Sequence, residues 1–125
     1  KARGFLRSLP RGGGPEVLVG GVLRGKHPAA LFRALATRFR RVVFTEPRVT
    51  GKPAYPAGTL RAALSGLFDE THAEPDAERA VDLALRLADR DGTVVVTGSA
   101  YLVGAVRGRW YPDRAVLAAG TSHPG

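Results

Sequence analysis

Short apolar runs alternate along this chain with stretches whose apolar positions recur every three to four residues, and glycine or proline separates them. Glu16–Val22 (EVLVGGV) follows the breaker Gly12–Gly13–Gly14–Pro15 and predicts a buried strand. Pro28 then opens a helical pattern in which Phe32, Leu35, Ala36 and Phe39 share one face. Arg41–Thr45 (RVVFT) predicts the next strand, and Glu46–Gly58, with three prolines and two glycines, a loop. Thr59–Leu67 predicts a short helix through Leu60, Leu64 and Leu67, followed by a weak strand over Leu67–Thr71. Pro75 and Asp76 begin a helix to about Arg90, with Val81, Ala84, Leu85 and Ala88 on one stripe and acids in the first turn, where the helix dipole favours them. Thr93–Thr97 (TVVVT) is β-branched throughout and predicts a strand buried on both faces. Gly98–Ser99 turns into a last helix through about Arg107. Residues 110–125 predict a tail, with a candidate edge strand over Ala115–Ala119.

Strands separated by helices imply βαβ units. The expected fold is α/β: a three-layer, Rossmann-like, mostly parallel sheet with helices on both faces. Residues 1–10 (KARGFLRSLP) look helical with no strand before them, so a first strand is expected to be missing. Methionine is absent, even at position 1, which further suggests a piece of a longer protein.

Composition narrows the function. With 125 residues the expectation is one domain, and 44% apolar content argues against disorder. The absence of cysteine excludes disulfides, thiolate metal sites and cysteine nucleophiles, and His27, His72 and His123 form no ligand pair, so no metal site is expected. No apolar run approaches the roughly 20 residues of a membrane span, and a soluble, cytoplasmic protein with no membrane partner is expected.

Charge is uneven. Residues 1–61 hold 13 basic and 2 acidic groups, giving +11, whereas residues 62–125 hold 6 and 9, giving −3. A basic half suggests an anionic partner. No signature of a nucleic-acid-binding module interleaves the arginines, which weighs against nucleic acid.

Ligands of open parallel sheets bind beyond the carboxyl ends of the strands, which selects two turns. The first, Gly20–Gly21–Val22–Leu23–Arg24–Gly25–Lys26–His27–Pro28, leads a strand into a helix N-terminus and brings two cations, but it matches neither a Walker A loop nor a G-x-G-x-x-G string. An ordinary βα turn explains it equally. The second, Thr97–Gly98–Ser99–Ala100–Tyr101, places a hydroxyl at a helix start, where it can cap the helix or bond a ligand. Tyr101 can pack or wall a pocket. No nucleophile–base pair is visible. Asp69 and Glu70 are neighbours that a strand would point to opposite faces, and His72 reads as a surface residue.

Asp91–Arg107 (DGTVVVTGSAYLVGAVR) resembles the closing motif of the folylpolyglutamate synthase/dihydrofolate synthase family of the Mur ligase superfamily, in an apolar strand followed by T-G-S-x-Y-L-V-G-x-V-R. Val17–Pro28 resembles the family's strand and Asp-Lys-Asp loop, Arg40–Pro47 (RRVVFTEP) the following strand ending in T-x-P, and Glu74–Ala88 its acidic-start helix. The resemblance spans nearly all of residues 1–109 and implies a C-terminal glutamate-binding domain there, with residues 110–125 as a tail. It implies an ATP-dependent amide ligase: ATP and Mg2+ activate a carboxylate of dihydropteroate or folate, and the amine of L-glutamate attacks the acyl phosphate. An N-terminal ATPase domain of the same protein would carry most of the nucleotide and magnesium ligands, and this chain alone would be inactive. Carried over by position, Lys26 would supply charge at the reacting anions. Ser99 would bond glutamate, Tyr101 would line its pocket, and Thr97, Gly98 and His27 would border it. Gly25 and His27 stand where the family has aspartates, and Lys52 is the nearest cation where the loop lacks the family's arginine–alanine pair. The alternatives are a cell-wall amino-acid ligase domain of the same superfamily and a basic module binding nucleic acid or protein.

Overall fold

The computed structural model describes residues 14–107 and 115–118. The helical pattern of residues 1–10 and both flanks of the candidate edge strand lie outside them. Five strands form one sheet: β1 (Glu16–Gly21), β2 (Arg41–Phe44), β3 (Glu70–Ala73), β4 (Thr93–Gly98) and β5 (Ala115–Ala118). Their order is β3-β2-β1-β4-β5 and all four pairings are parallel. The intervening helices are α1 (Pro28–Leu35), α2 (Ala57–Leu64, continued by a 3-10 turn over Ser65–Leu67), α3 (Ala77–Ala88) and α4 (Ala100–Arg107).

The period-two alternation of the strands builds two cores. Val17 and Val19 of β1, Val43 of β2, and Val94 and Val96 of β4 face α3, which buries Ala80, Val81, Ala84, Leu85 and Ala88 against them, joined by Leu102 of α4. Leu18, Val42, Phe44 and Val95 point to the other face. They meet Phe32 and Leu35 of α1 and Ala57, Leu60 and Leu64 of α2. The expected three layers are thus formed. Phe32, Phe44 and Phe68 pack edge to face with centroids 5.1, 6.5 and 6.0 Å apart, each pair adding about 1 kcal/mol beyond its buried area.

Three boundaries differ from the sequence pattern. β3 starts three residues later than Leu67, because the 3-10 turn takes Ser65–Leu67 and Phe68 turns into the aromatic cluster. α1 ends at Leu35, and a turn carries Phe39 into the same core, its N–H bonded to the Leu35 carbonyl at 3.0 Å. α2 starts two residues before Thr59, because the Glu46 carboxylate accepts from the Ala57 N–H at 2.8 Å. α3 is capped as its first-turn acids predict: the Asp76 carboxylate accepts from the Arg79 N–H at 2.9 Å.

Topology sets where a ligand can sit. The chain passes outward from β1 to β2 to β3, then returns to the other side of β1 for β4 and β5. The β1–β4 junction is the point of reversal, and its carboxyl end is the position open α/β sheets offer to ligands.

Candidate functional site

The floor of that junction is backbone. Gly20 pairs with Thr97 and Gly21 with Gly98. Gly98 has φ +121, a conformation L side chains rarely adopt, and a Cβ there would collide with the Gly21 carbonyl oxygen. A Cβ on Gly21 would in turn collide with the Thr45 carbonyl. The two turns predicted from sequence therefore leave the same rim from adjacent strands.

Ser99 is buried, and its N–H donates to the Gly21 carbonyl at 3.1 Å, tying the β4–α4 turn to the end of β1. Its Oγ accepts from the Tyr101 N–H at 3.1 Å, and its carbonyl accepts from Val103 N–H at 3.1 Å. The hydroxyl is thus a helix cap, the commoner use of serine at such a turn. As an acceptor in that bond it keeps its own proton to donate. Thr97 is fully buried in β4. Tyr101 stands in the first turn of α4 at 49% exposure, the large exposed hydrophobic side chain of the described residues.

On the β1 side, Gly25 has φ +92 and lets the chain turn through Arg24–Lys26. His27 is exposed at the N-cap of α1 with no side-chain capping bond. Lys26 is half-buried, and its carbonyl accepts from the Tyr55 hydroxyl at 3.5 Å. The β2–α2 loop is laced to this turn: Arg24 N–H donates to Pro53 O at 2.9 Å, Tyr55 N–H to Val22 O at 3.0 Å, and Leu23 and Ala54 bridge antiparallel. The Arg24 guanidinium lies 5.3 Å from the Tyr55 ring centroid. From the same loop Lys52 reaches Tyr101, its ammonium donating to the hydroxyl at 3.3 Å and lying 5.2 Å from the ring centroid.

Among the described residues, none of Arg24, Lys26, Arg48 and Lys52 is in an ion pair. The acids of this rim bond to backbone instead, Glu46 to Ala57 N–H and Glu74 to Asp76 N–H at 3.1 Å. The rim gathers four cations without acidic partners at the ends of β1 and β2 and the start of α4, an arrangement suited to an anion. Lys52, Tyr55 and Arg24 were not singled out as a group by the sequence. Three prolines and two glycines marked Glu46–Gly58 only as a loop, and nothing local reveals that it folds back onto both turns. The other candidates of the chain are structural. His72 bonds Glu70 at 2.6 Å on β3, and that bond, with Arg41 near, holds the Glu70 carboxyl below its usual range despite partial burial. Asp69 pairs with Arg40 at 3.2 Å.

No protein-family model and no curated protein sequence matches this chain. Among solved structures it is similar to Mycobacterium tuberculosis folylpolyglutamate synthase complexed with ADP, with a TM-score of 0.63 and 26% identity over 75% of this chain. The chain spans 23% of that protein's length. The likeness supports a folylpolyglutamate-synthase-like fold of the Mur ligase type.

Proposed function

We propose that this chain is the glutamate-holding C-terminal domain of an ATP-dependent amide ligase that adds L-glutamate to dihydropteroate or folate. In this assignment residues 1–109 are the domain and 110–125 an extension that lends β5 to its edge. The observation that carries the reading is the Thr97–Tyr101 turn, set at the β1–β4 reversal beside the Lys26 turn, in a fold similar to a folylpolyglutamate synthase. A carboxylate accepts the Ser99 hydroxyl proton at the start of α4, where the helix dipole favours an anion. Lys26 adds positive charge at the same rim, and Thr97, Gly98, Tyr101 and His27 shape its border. These groups hold and orient the amino acid so that its amine meets an activated acyl group, and positioning of this kind needs no protein nucleophile.

ATP supplies the activation of the acceptor carboxylate. The ligands of ATP and Mg2+ are assigned mostly to an N-terminal ATPase domain of the same protein; among the described residues no group of three or more histidines or carboxylates could hold a metal ion. The test is ATP-dependent incorporation of labelled L-glutamate by the protein carrying this chain, offered dihydropteroate, folate and a cell-wall muropeptide precursor in parallel. Incorporation into the pteroyl acceptors is expected. Ser99→Ala and Lys26→Ala should each raise the KM for glutamate roughly tenfold, the scale of one charge-assisted hydrogen bond. Wild-type glutamate dependence in both variants would contradict the site, and exclusive use of the muropeptide would move the domain to the cell-wall branch.

A further inference from the structure

We infer that Lys52 is a specificity-determining residue: held by Tyr101, its ammonium reads the second carboxylate of a dicarboxylic amino acid. The inference rests on the glutamate site proposed above and extends it to a residue from a third element.

The loop carrying Lys52 is built to bring that ammonium to the site. Val49–Lys52 is a tight turn, closed by Lys52 N–H donating to Val49 O at 3.0 Å. Gly51 at φ +77 supplies the left-handed position such a turn requires. Immediately after it, Pro53, Ala54 and Tyr55 are laced to Val22, Leu23 and Arg24 of the β1–α1 turn. Lys52 is thus anchored through its backbone to the turn that bears Lys26. Through its side chain it contacts α4 two residues beyond Ser99. It bridges the two turns that flank the β1–β4 reversal.

The chemistry of the contact matters as much as its place. The Tyr101 hydroxyl is an uncharged acceptor, so its bond from the Lys52 ammonium holds the side chain without cancelling the charge. An acid in the same place would have made a closed ion pair, and among the described residues Lys52 has none. The exposed Tyr101 therefore fixes a flexible side chain while leaving its full charge for a ligand. The start of α4 and Ser99 suit one carboxylate. A dicarboxylic amino acid brings a second one, a few bonds away, and Lys52 is the cation fixed next to that position.

The test compares L-glutamate with its neutral isostere L-glutamine, by NMR titration of the 125-residue chain and its variants. Wild type is expected to bind glutamate more tightly than glutamine. Lys52→Met should weaken glutamate about tenfold, as for loss of one partly solvated charge-assisted bond, and leave glutamine unchanged. Lys52→Arg should restore the preference, and Tyr101→Phe should lower it part of the way. Unchanged amide shifts away from the loop will show that the variants fold. If wild type binds glutamate but Lys52→Met keeps the same preference over glutamine, the role of Lys52 is overturned while the glutamate site stands. If neither amino acid binds, the site and this inference fall together.

Discussion

The two rims of the sheet treat arginine and lysine in opposite ways. At the amino ends of the strands, cations meet acids. Arg38 grips both oxygens of Glu16 with its side chain 3% exposed, Arg40 pairs with Asp69, and Arg41 lies 3.6 Å from Glu70 while also donating to the Leu87 carbonyl at 3.1 Å. At the carboxyl ends, Arg24, Lys26, Arg48 and Lys52 lack acidic partners among the described residues, and the nearby carboxylates cap backbone. The amino rim uses charge to hold the fold together. The carboxyl rim leaves it open to an outside anion. The four cations left without an acidic partner thus stand where open parallel sheets take their ligands.

That contrast can be broken from either side. The largest effect belongs to the amino rim. Arg38→Met strands the Glu16 carboxylate, whose side chain is 15% exposed, and is expected to cost on the order of 4 kcal/mol in denaturant unfolding. Adding Glu16→Gln should recover part of the loss, because the double change leaves no lone charge. Glutamate affinity should hold in both, and its loss would deny the division between the rims. Next comes Gly98→Ala, where φ +121 and the clash with Gly21 act together. A cost of roughly 3 kcal/mol is expected, with loss of glutamate binding, because the β1–β4 floor must open. Ser99→Ala should cost about 1 kcal/mol as a lost cap while raising the glutamate KM as described above. A stability loss with unchanged glutamate dependence would reduce Ser99 to a cap alone.

The smallest effect is the pH response of β3. The Glu70 carboxyl is held below its usual value mainly by the His72 hydrogen bond. A depressed folded-state value means that its contribution is fully present above the unfolded carboxylate range and fades as pH falls through the folded value. His72→Gln should flatten the acid limb of the stability curve by under about 1 kcal/mol, since Glu70 is 38% exposed and screened. An unchanged limb would show that the pair is inert.

Much of this architecture is legible in the chain. TVVVT and EVLVGGV mark the two central strands because parallel strands covered on both faces need unbroken apolar runs. The Ser99 cap is legible because it acts within two residues, on the Tyr101 N–H, whereas the tie of Gly98 and Ser99 to Gly21 is not. Ala115–Ala118 joins the sheet at its edge, as the apolar pattern predicts. What escaped detection is long-range. The cap from Glu46 to Ala57 spans eleven residues, and the Lys52–Tyr101 contact spans 49. Arg38 and Glu16 lie 22 apart and look like ordinary surface charges until the fold buries them together. Periodicity reports which face a residue belongs to. It carries no information about which loop closes over which turn.

The central claim is that an anionic amino acid binds at the carboxyl rim and nowhere else on the sheet. Mapping the backbone amide shifts of the isotope-labelled chain during a titration with L-glutamate tests it most directly. Saturable changes are expected at Gly21, Lys26, Lys52, Gly98 and Tyr101 alone, with Arg38, Arg41 and Glu70 silent. Changes of equal size at both rims, or centred on the Arg38–Glu16 end, would contradict it.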